Sequence, residues 1–115
     1  MDRGEIRLVD LDPARGAEAD KRRPAVVVSN DGANAVAHRL GRGVVTVVPV
    51  TSAIDRIHPF QVFLSASGTG LPRDSKAQAE QVRSIAVERV GRRLGRLTPS
   101  LLTDLDDALR LHLAL

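Results

Sequence analysis

The sequence contains no cysteine, tryptophan or tyrosine, and phenylalanine occurs only twice. The absence of cysteine excludes disulfides, thiolate metal sites and cysteine nucleophiles. With so few aromatic rings, the chain has little surface on which nucleic-acid bases could stack. Any recognition of bases would therefore depend on hydrogen bonds and on the planar guanidinium groups of arginine.

Membrane and metal signals are missing as well. No apolar run approaches the roughly 18 residues that a membrane-spanning helix needs, and the first ten residues, "MDRGEIRLVD", contain no apolar signal region. The three histidines are scattered along the chain, without the spacing of a zinc pair. We therefore expect a cytoplasmic protein with no membrane partner, no metal site and no cofactor. Those histidines are His38, His58 and His112.

The composition is that of a folded domain with an excess of positive charge. The 115 residues are 43% hydrophobic and 27% charged, and this length is near the common size of one domain, so we expect residues 1–115 to form a single domain. The net charge is +3, and Lys21 and Lys76 are the only lysines among 17 cations. Arginine suits phosphate recognition, although arginine-rich usage can equally reflect coding bias. The charge suggests a nucleic-acid partner.

Hydrophobic patterning predicts a mainly β fold. The first strand alternates apolar and polar residues, whereas the second has an apolar run that implies cover on both faces. Pro49 cannot donate to a strand ladder, so it predicts a bulge or an edge within the third strand. The six predicted strands are "EIRLVDLDP", "PAVVVSN", "VVTVVPVTS", "FQVFLSA", "KAQAEQVRSIA" and "RRLGRLTP".

Two further segments complete the expected architecture. Residues 31–43, "DGANAVAHRLGRG", are a polar connection with room for a short helical turn. At the other end, Thr98 is a candidate N-cap with Pro99 at the first helical position. Four leucines then follow at helical spacing, which predicts one C-terminal amphipathic helix. Several short strands with one terminal helix favour a small, partly closed β-barrel. Those leucines are Leu102, Leu105, Leu109 and Leu113.

The segment "KRRPAVVVSN", residues 21–30, places three cations and a proline directly before a buried strand. These cations can simply keep the strand end soluble. Alternatively, they hold a guanidinium at a fixed point beside a rigid sheet. Pro24 has a fixed φ and restricts the residue before it to extended geometry. Arg23 is therefore expected to be pre-positioned at the lip of the strand.

Several motifs occur in one order along nearly the whole chain: "RGEI", "VDLDPARG", "EADKRRPAVVVSND", "VVPVTS", "PFQVFLS" and "AEQVRSI". Together they resemble the MazF/PemK family of toxins from bacterial toxin–antitoxin systems. The resemblance implies an SH3-like β-barrel of about six or seven strands that forms a homodimer. It also implies a metal-independent endoribonuclease that cuts single-stranded RNA and is inhibited by a cognate, MazE-like antitoxin. Contact with DNA would occur only indirectly, through the antitoxin complex.

The resemblance also suggests site residues. It assigns catalysis to Arg23 and Thr51, and it leaves Ala17 where one branch of the family carries a histidine. In the same branch a later strand uses an arginine and an aspartate, where this sequence has Gln78 and Glu80. The arginine–threonine version of the mechanism therefore fits better. The residues expected to bind RNA are Glu18, Lys21, Arg22, Ser52, Ser75 and Gln81.

In the implied reaction, the ribose 2′-hydroxyl attacks the adjacent phosphate and leaves a 2′,3′-cyclic phosphate and a 5′-hydroxyl. Because arginine stays protonated, Arg23 would stabilise the charge of the transition state, and Thr51 would donate a hydrogen bond to a nonbridging oxygen. The proton acceptor is open, with Glu18 as a candidate. Two alternatives remain: a non-catalytic toxin of the same fold that binds a protein such as gyrase, and a plain RNA-binding module.

Overall fold

The computed structural model describes residues 1–12, 15–17 and 22–115. Within these ranges there are seven strands, two single-turn 3₁₀ helices and three α-helices. The helices are α1 (Asp31–Leu40), α2 (Ala66–Thr69) and α3 (Pro99–Leu113), and the 3₁₀ turns are Ala79–Gln81 and Val87–Arg89. The strands are β1 (Glu5–Asp10), β2 (Arg22–Val27), β3 (Val44–Thr51), β4 (Gln61–Leu64), β5 (Ser75–Gln78), β6 (Arg83–Ala86) and β7 (Val90–Arg96).

The strands form one antiparallel sheet in the order β4-β5-β3-β2-β1-β7, with β6 also paired to β3. Among the described strands, β4 and β7 lie at the two ends of this path, so the sheet is open. The expected mainly β fold of about seven strands with a C-terminal helix is confirmed. Strand β3 is central in the sheet: β2 pairs along one of its edges, and β5 and β6 pair along the other.

The central strands are covered on both faces, as the apolar run in the second strand predicts. Val26 belongs to a core cluster that also contains Leu105 of α3. Its neighbours Ala25 and Val27 belong to a second cluster, together with Ala37 of α1. The sheet therefore carries helix α3 on one face and helix α1 on the other, which makes its central strands rigid.

Pro49 lies where one edge of β3 changes its partner. Along that edge β6 pairs with Val44–Val47, and β5 pairs with Val50 and Thr51. Pro49 falls between the two pairings and faces Ala25 of β2 on the other side. A residue without an N–H suits this gap, since no ladder bond is required there. This gap between the β6 and β5 pairings is the local edge that Pro49 predicts.

Three sequence predictions were wrong in extent. Residues 31–40 form a ten-residue helix rather than a short turn, because the side chain of Asn30 accepts a bond from Ala33 N at 2.8 Å and caps it. Residues 66–69 form a short helix where only a turn was expected. The segment 76–86 is two strands, because the 3₁₀ turn Ala79–Gln81 moves the chain from one partner position beside β3 to the next.

Helix α3 begins as predicted. The Thr98 hydroxyl oxygen accepts a hydrogen bond from Leu101 N at 3.2 Å, and Pro99 follows at the first helical position. Leu105 is fully buried against the sheet, whereas Leu113 is exposed. The apolar stripe is therefore buried along most of the helix and leaves its C-terminal turn in solvent.

We predict that Thr98→Ala lowers the free energy of unfolding by about 1 kcal/mol, because Leu101 N loses its capping acceptor. Urea denaturation monitored by circular dichroism measures this change. Ser100→Ala is the matched control: this serine lies exposed in the same turn, and its removal should change stability by less than about 0.5 kcal/mol. Equal losses in the two variants would contradict the capping role.

Candidate active site

A cleft of about 360 Å³ opens at one end of the central strands. Its floor is the end of β3, and its two walls are the start of β2 and the segment that leads into β5. Because these neighbouring strands are antiparallel, the end of β3 and the starts of β2 and β5 meet at the same end of the strands. The cleft is lined by Arg22, Arg23, Pro24, Val50, Thr51, Ser52, Leu71, Pro72, Arg73 and Ser75.

The strand register brings the two candidate catalytic residues together. Ala25 of β2 faces Pro49 of β3, and Val26 faces Val48. This pairing ends at Ala25 and Pro49, and Arg23 and Thr51 lie two residues beyond it on the two strands. Both residues line the cleft. The guanidinium and the hydroxyl therefore reach the same cleft from neighbouring strands.

Thr51 is half-buried, and a local hydrogen bond orients its hydroxyl. The oxygen Oγ1 accepts a bond from Ala53 N at 3.2 Å. A hydroxyl has one hydrogen to donate and two acceptor positions. The bond from Ala53 uses an acceptor position, which leaves the hydroxyl hydrogen to donate. Thr51 can thus satisfy the backbone turn and still offer a donor to a bound anion.

The two arginines of β2 differ in their surroundings. Arg23 is half-buried, forms part of the strand and faces Val9 of β1. Arg22 is exposed, and its Nη2 lies 3.9 Å from the position that a Cβ on Gly91 of β7 would take. Arg22 therefore reaches across β1 toward β7. Of the two, Arg23 is the one placed beside Thr51.

The other residues expected to bind RNA are distributed unevenly. Ser52 lines the cleft directly after Thr51. Ser75 also lines it but is only 5% exposed, and its hydroxyl donates to the Arg73 carbonyl oxygen at 2.9 Å. Gln81 is not among the lining residues; its Nε2 donates to the Ala17 carbonyl oxygen at 3.0 Å, which ties the 3₁₀ turn to the first loop. Glu18 and Lys21 lie outside the described residues.

Sequence reasoning missed two basic residues at this end of the sheet. Arg73 lines the cleft on the wall opposite Arg23. Lys76 faces Thr51 across β3 and β5, is only 9% exposed, and its ammonium donates to the Arg56 carbonyl oxygen at 2.6 Å. The positions of both residues follow from the pairing of β5 with β3. The local sequence "LPRDSK" does not predict that pairing.

The cleft therefore presents guanidinium and hydroxyl groups, the donors that suit a phosphodiester. Among the described residues, no group of three or more histidine, aspartate or glutamate side chains is placed to hold a metal ion. None of the helices described is both long enough and apolar enough to cross a membrane.

The fold is shared with a class of bacterial toxins. Residues 2–113 match the family described as PemK-like, MazF-like toxin of type II toxin–antitoxin system. The match spans nearly the whole chain, and the chain belongs to this family, as its motifs predict.

Individual relatives agree with this assignment. Endoribonuclease MazF9 of Mycobacterium tuberculosis is 67% identical over 115 residues, which cover 100% of this chain and 98% of the relative. Endoribonuclease EndoA of Bacillus subtilis is 31% identical over 114 residues, covering 98% of this chain and 94% of EndoA. Among solved structures, MazF of Deinococcus radiodurans superposes with a TM-score of 0.82 at 26% identity, covering 100% of this chain and 97% of that one.

Proposed function

We propose that this toxin cleaves single-stranded RNA at a short sequence, without a metal ion, by attack of the ribose 2′-hydroxyl on the adjacent phosphate. The endoribonuclease class has direct support, since MazF9 and EndoA are both named endoribonucleases. The observation that carries the chemistry is that Arg23, at the start of β2, and Thr51, at the end of β3, line the same cleft. We also propose that residues 1–115 act as one domain, in the cytoplasm.

The reaction requires one bond to form and one to break. The 2′-oxygen bonds to phosphorus as its proton leaves, and the bond from phosphorus to the 5′-oxygen breaks as that oxygen gains a proton. Negative charge accumulates on the nonbridging oxygens in between. Arg23 donates hydrogen bonds to these oxygens, and the Thr51 hydroxyl donates one as well. Fixed donors of this kind each lower the barrier by about 3–4 kcal/mol. For the proton acceptor, Glu18 stays a prediction.

The rest of the expected RNA surface surrounds this centre. Ser52 lines the same cleft directly after Thr51, so it is placed to contact a nucleotide beside the cleaved bond. Arg22 also lines the cleft, but its guanidinium reaches toward β7, so it is placed to contact a phosphate further from the cut. Gln81 acts from further away, through its bond to the first loop. Lys21 remains an expected phosphate contact on the basis of the resemblance.

We further propose that a cognate, MazE-like antitoxin inhibits the enzyme and that DNA is contacted only through their complex. MazF of D. radiodurans, which shares this fold, has also been solved together with MazE. An antitoxin segment that occupies the cationic cleft would block the RNA by competing for the same donors. Acidic residues in that segment would complement Arg22, Arg23 and Arg73.

A protein-binding toxin without nuclease activity is the second candidate, since an exposed cationic cleft can also bind an acidic protein surface. The arginine and threonine in one cleft favour the nuclease, because protein binding does not require a hydroxyl with a hydrogen left to donate. A plain RNA-binding module would likewise not require that pair.

We predict that the purified toxin cuts single-stranded RNA in excess EDTA and leaves 2′,3′-cyclic phosphate and 5′-hydroxyl ends. The cleft supplies its own cationic donors, so chelation of divalent metals should leave the rate unchanged. Mapping of the cut ends on a long RNA measures both the products and the cleavage sequence. RNA that stays intact in the presence of folded toxin would contradict the proposed function.

We predict that Arg23→Ala and Thr51→Ala each reduce the cleavage rate at saturating RNA at least about a hundredfold, because each removes a donor to the transition state. Arg22→Ala is the matched control, since its guanidinium extends toward β7; it should mainly raise KM. Single-turnover kinetics separates the two effects. A cleavage rate for Arg23→Ala close to that of the control would reject the assignment.

We propose that the toxin is a homodimer. Val36 and Leu40 of α1 and Val44 of β3 are exposed by 45%, 53% and 62% and line one groove, and such apolar surface is typical of interaction sites. We predict that light scattering after size-exclusion chromatography gives the mass of two chains at micromolar concentration. A mass of 12.4 kDa, that of one chain, would contradict the dimer.

A further inference from the structure

Arg73 lies across the cleft from Arg23, and the sequence motifs give it no role. The sheet order β5-β3-β2 puts the strand of Thr51 in the middle. Neighbouring strands are roughly 4.8 Å apart, so β2 and β5 are separated by about 10 Å. Arg23 stands on one wall and Arg73 on the other. Arg23 and Arg73 therefore lie on opposite sides of the strand that carries Thr51.

The backbone that carries Arg73 is held from both ends. On one side, the Ser75 hydroxyl donates to the Arg73 carbonyl oxygen at 2.9 Å. Next to it, Asp74 Oδ1 accepts a hydrogen bond from Ala66 N at 2.9 Å, which ties the segment to helix α2. Leu71, two residues earlier, is buried in the core. These contacts fix the backbone that carries Arg73 beside the cleft.

The Arg73 side chain itself is exposed. Within the part of the chain that the structure describes, no hydrogen bond or ion pair to its guanidinium is found, and its neighbour Asp74 is engaged with the Ala66 backbone. All the donors of the guanidinium are therefore available to a ligand in the cleft. A planar fork of donors binds a phosphate through two parallel hydrogen bonds.

We propose that Arg73 binds the RNA phosphate next to the one that is cleaved, and that Ser75 is the positioning residue that holds Arg73 in place. This inference rests on the proposed function of the cleft. A phosphate held by Arg23 and Thr51 lies on the β2 side of the cleft. Because β5 is about 10 Å from β2, Arg73 is placed to bind a neighbouring phosphate of the RNA instead. Ser75 acts through its bond to the Arg73 carbonyl rather than by touching the RNA.

The test measures binding of an oligonucleotide that carries the mapped cleavage site with a 2′-deoxy nucleotide at the cut, which removes the nucleophile. Arg73→Ala should weaken binding at least about tenfold, as expected for the loss of a charged phosphate contact. It should also make the slope of log affinity against log salt less negative by about 0.7, the value for one phosphate of a single strand. Arg92→Ala is the control, because Arg92 is exposed on β7 and lines neither the cleft nor the groove beside α1.

Neutral methylphosphonate linkages identify the phosphate. Replacement of the phosphate adjacent to the cut should weaken binding to the wild-type toxin and have no further effect on Arg73→Ala. Replacement of a linkage several nucleotides away should affect both proteins equally. If the adjacent linkage weakens binding equally in both proteins, the proposed contact is wrong.

Ser75→Ala separates positioning from contact. Alone, Ser75→Ala should cause part of the loss of RNA affinity that Arg73→Ala causes. Combined with Arg73→Ala, it should cause no further loss of affinity. Additive losses would mean that Ser75 binds RNA independently and would overturn its positioning role. If the wild-type toxin cleaves RNA while Arg73→Ala binds like the Arg92→Ala control, only this inference fails. If the wild-type toxin neither binds nor cleaves RNA, the proposed function and the inference fail together.

Discussion

The cross-strand register between β2 and β3 is the constraint on which the site depends. It brings the start of β2, with Arg23, beside the end of β3, with Thr51, and both residues inherit the rigidity of a sheet that is packed on two faces. Such pre-positioning matters because donors that are already aligned need not reorganise as charge develops on the substrate. A slip of one residue would turn the side chains of β2, including that of Arg23, to the other face of the sheet. The buried apolar residues of β2 and β3 prevent that slip, so the core maintains the chemistry.

The partner exchange along the other edge of β3 gives the cleft its second wall. Because β6 pairs only with the first half of β3, the final residues of β3 are free to pair with β5. This arrangement brings the segment before β5, with Arg73 and Ser75, next to the end of the strand. Pro49 lies at the point of exchange. Pro49, which cannot donate a ladder bond, thus lies directly before the residues of β3 that line the cleft.

Local signals predicted the parts of the fold that local interactions determine. The Thr98–Pro99 start of α3 is one such part, since a cap and a proline act within a single turn. The division of residues 76–86 into two strands was missed because it depends on β3, a distant segment of the chain. The same holds for the site. Arg23 and Thr51 are carried by sequence motifs, whereas the positions of Arg73 and Lys76 arise only from pairing between β3 and β5.

The bond from Lys76 to the Arg56 carbonyl has an evolutionary consequence. It anchors the stretch after Thr51 through a main-chain oxygen, which every amino acid possesses. Residue 56 can therefore be exchanged for almost any other without loss of the tether. Variation in the side chain at position 56 is therefore decoupled from this tether, so this position can drift in sequence while the backbone after Thr51 stays anchored.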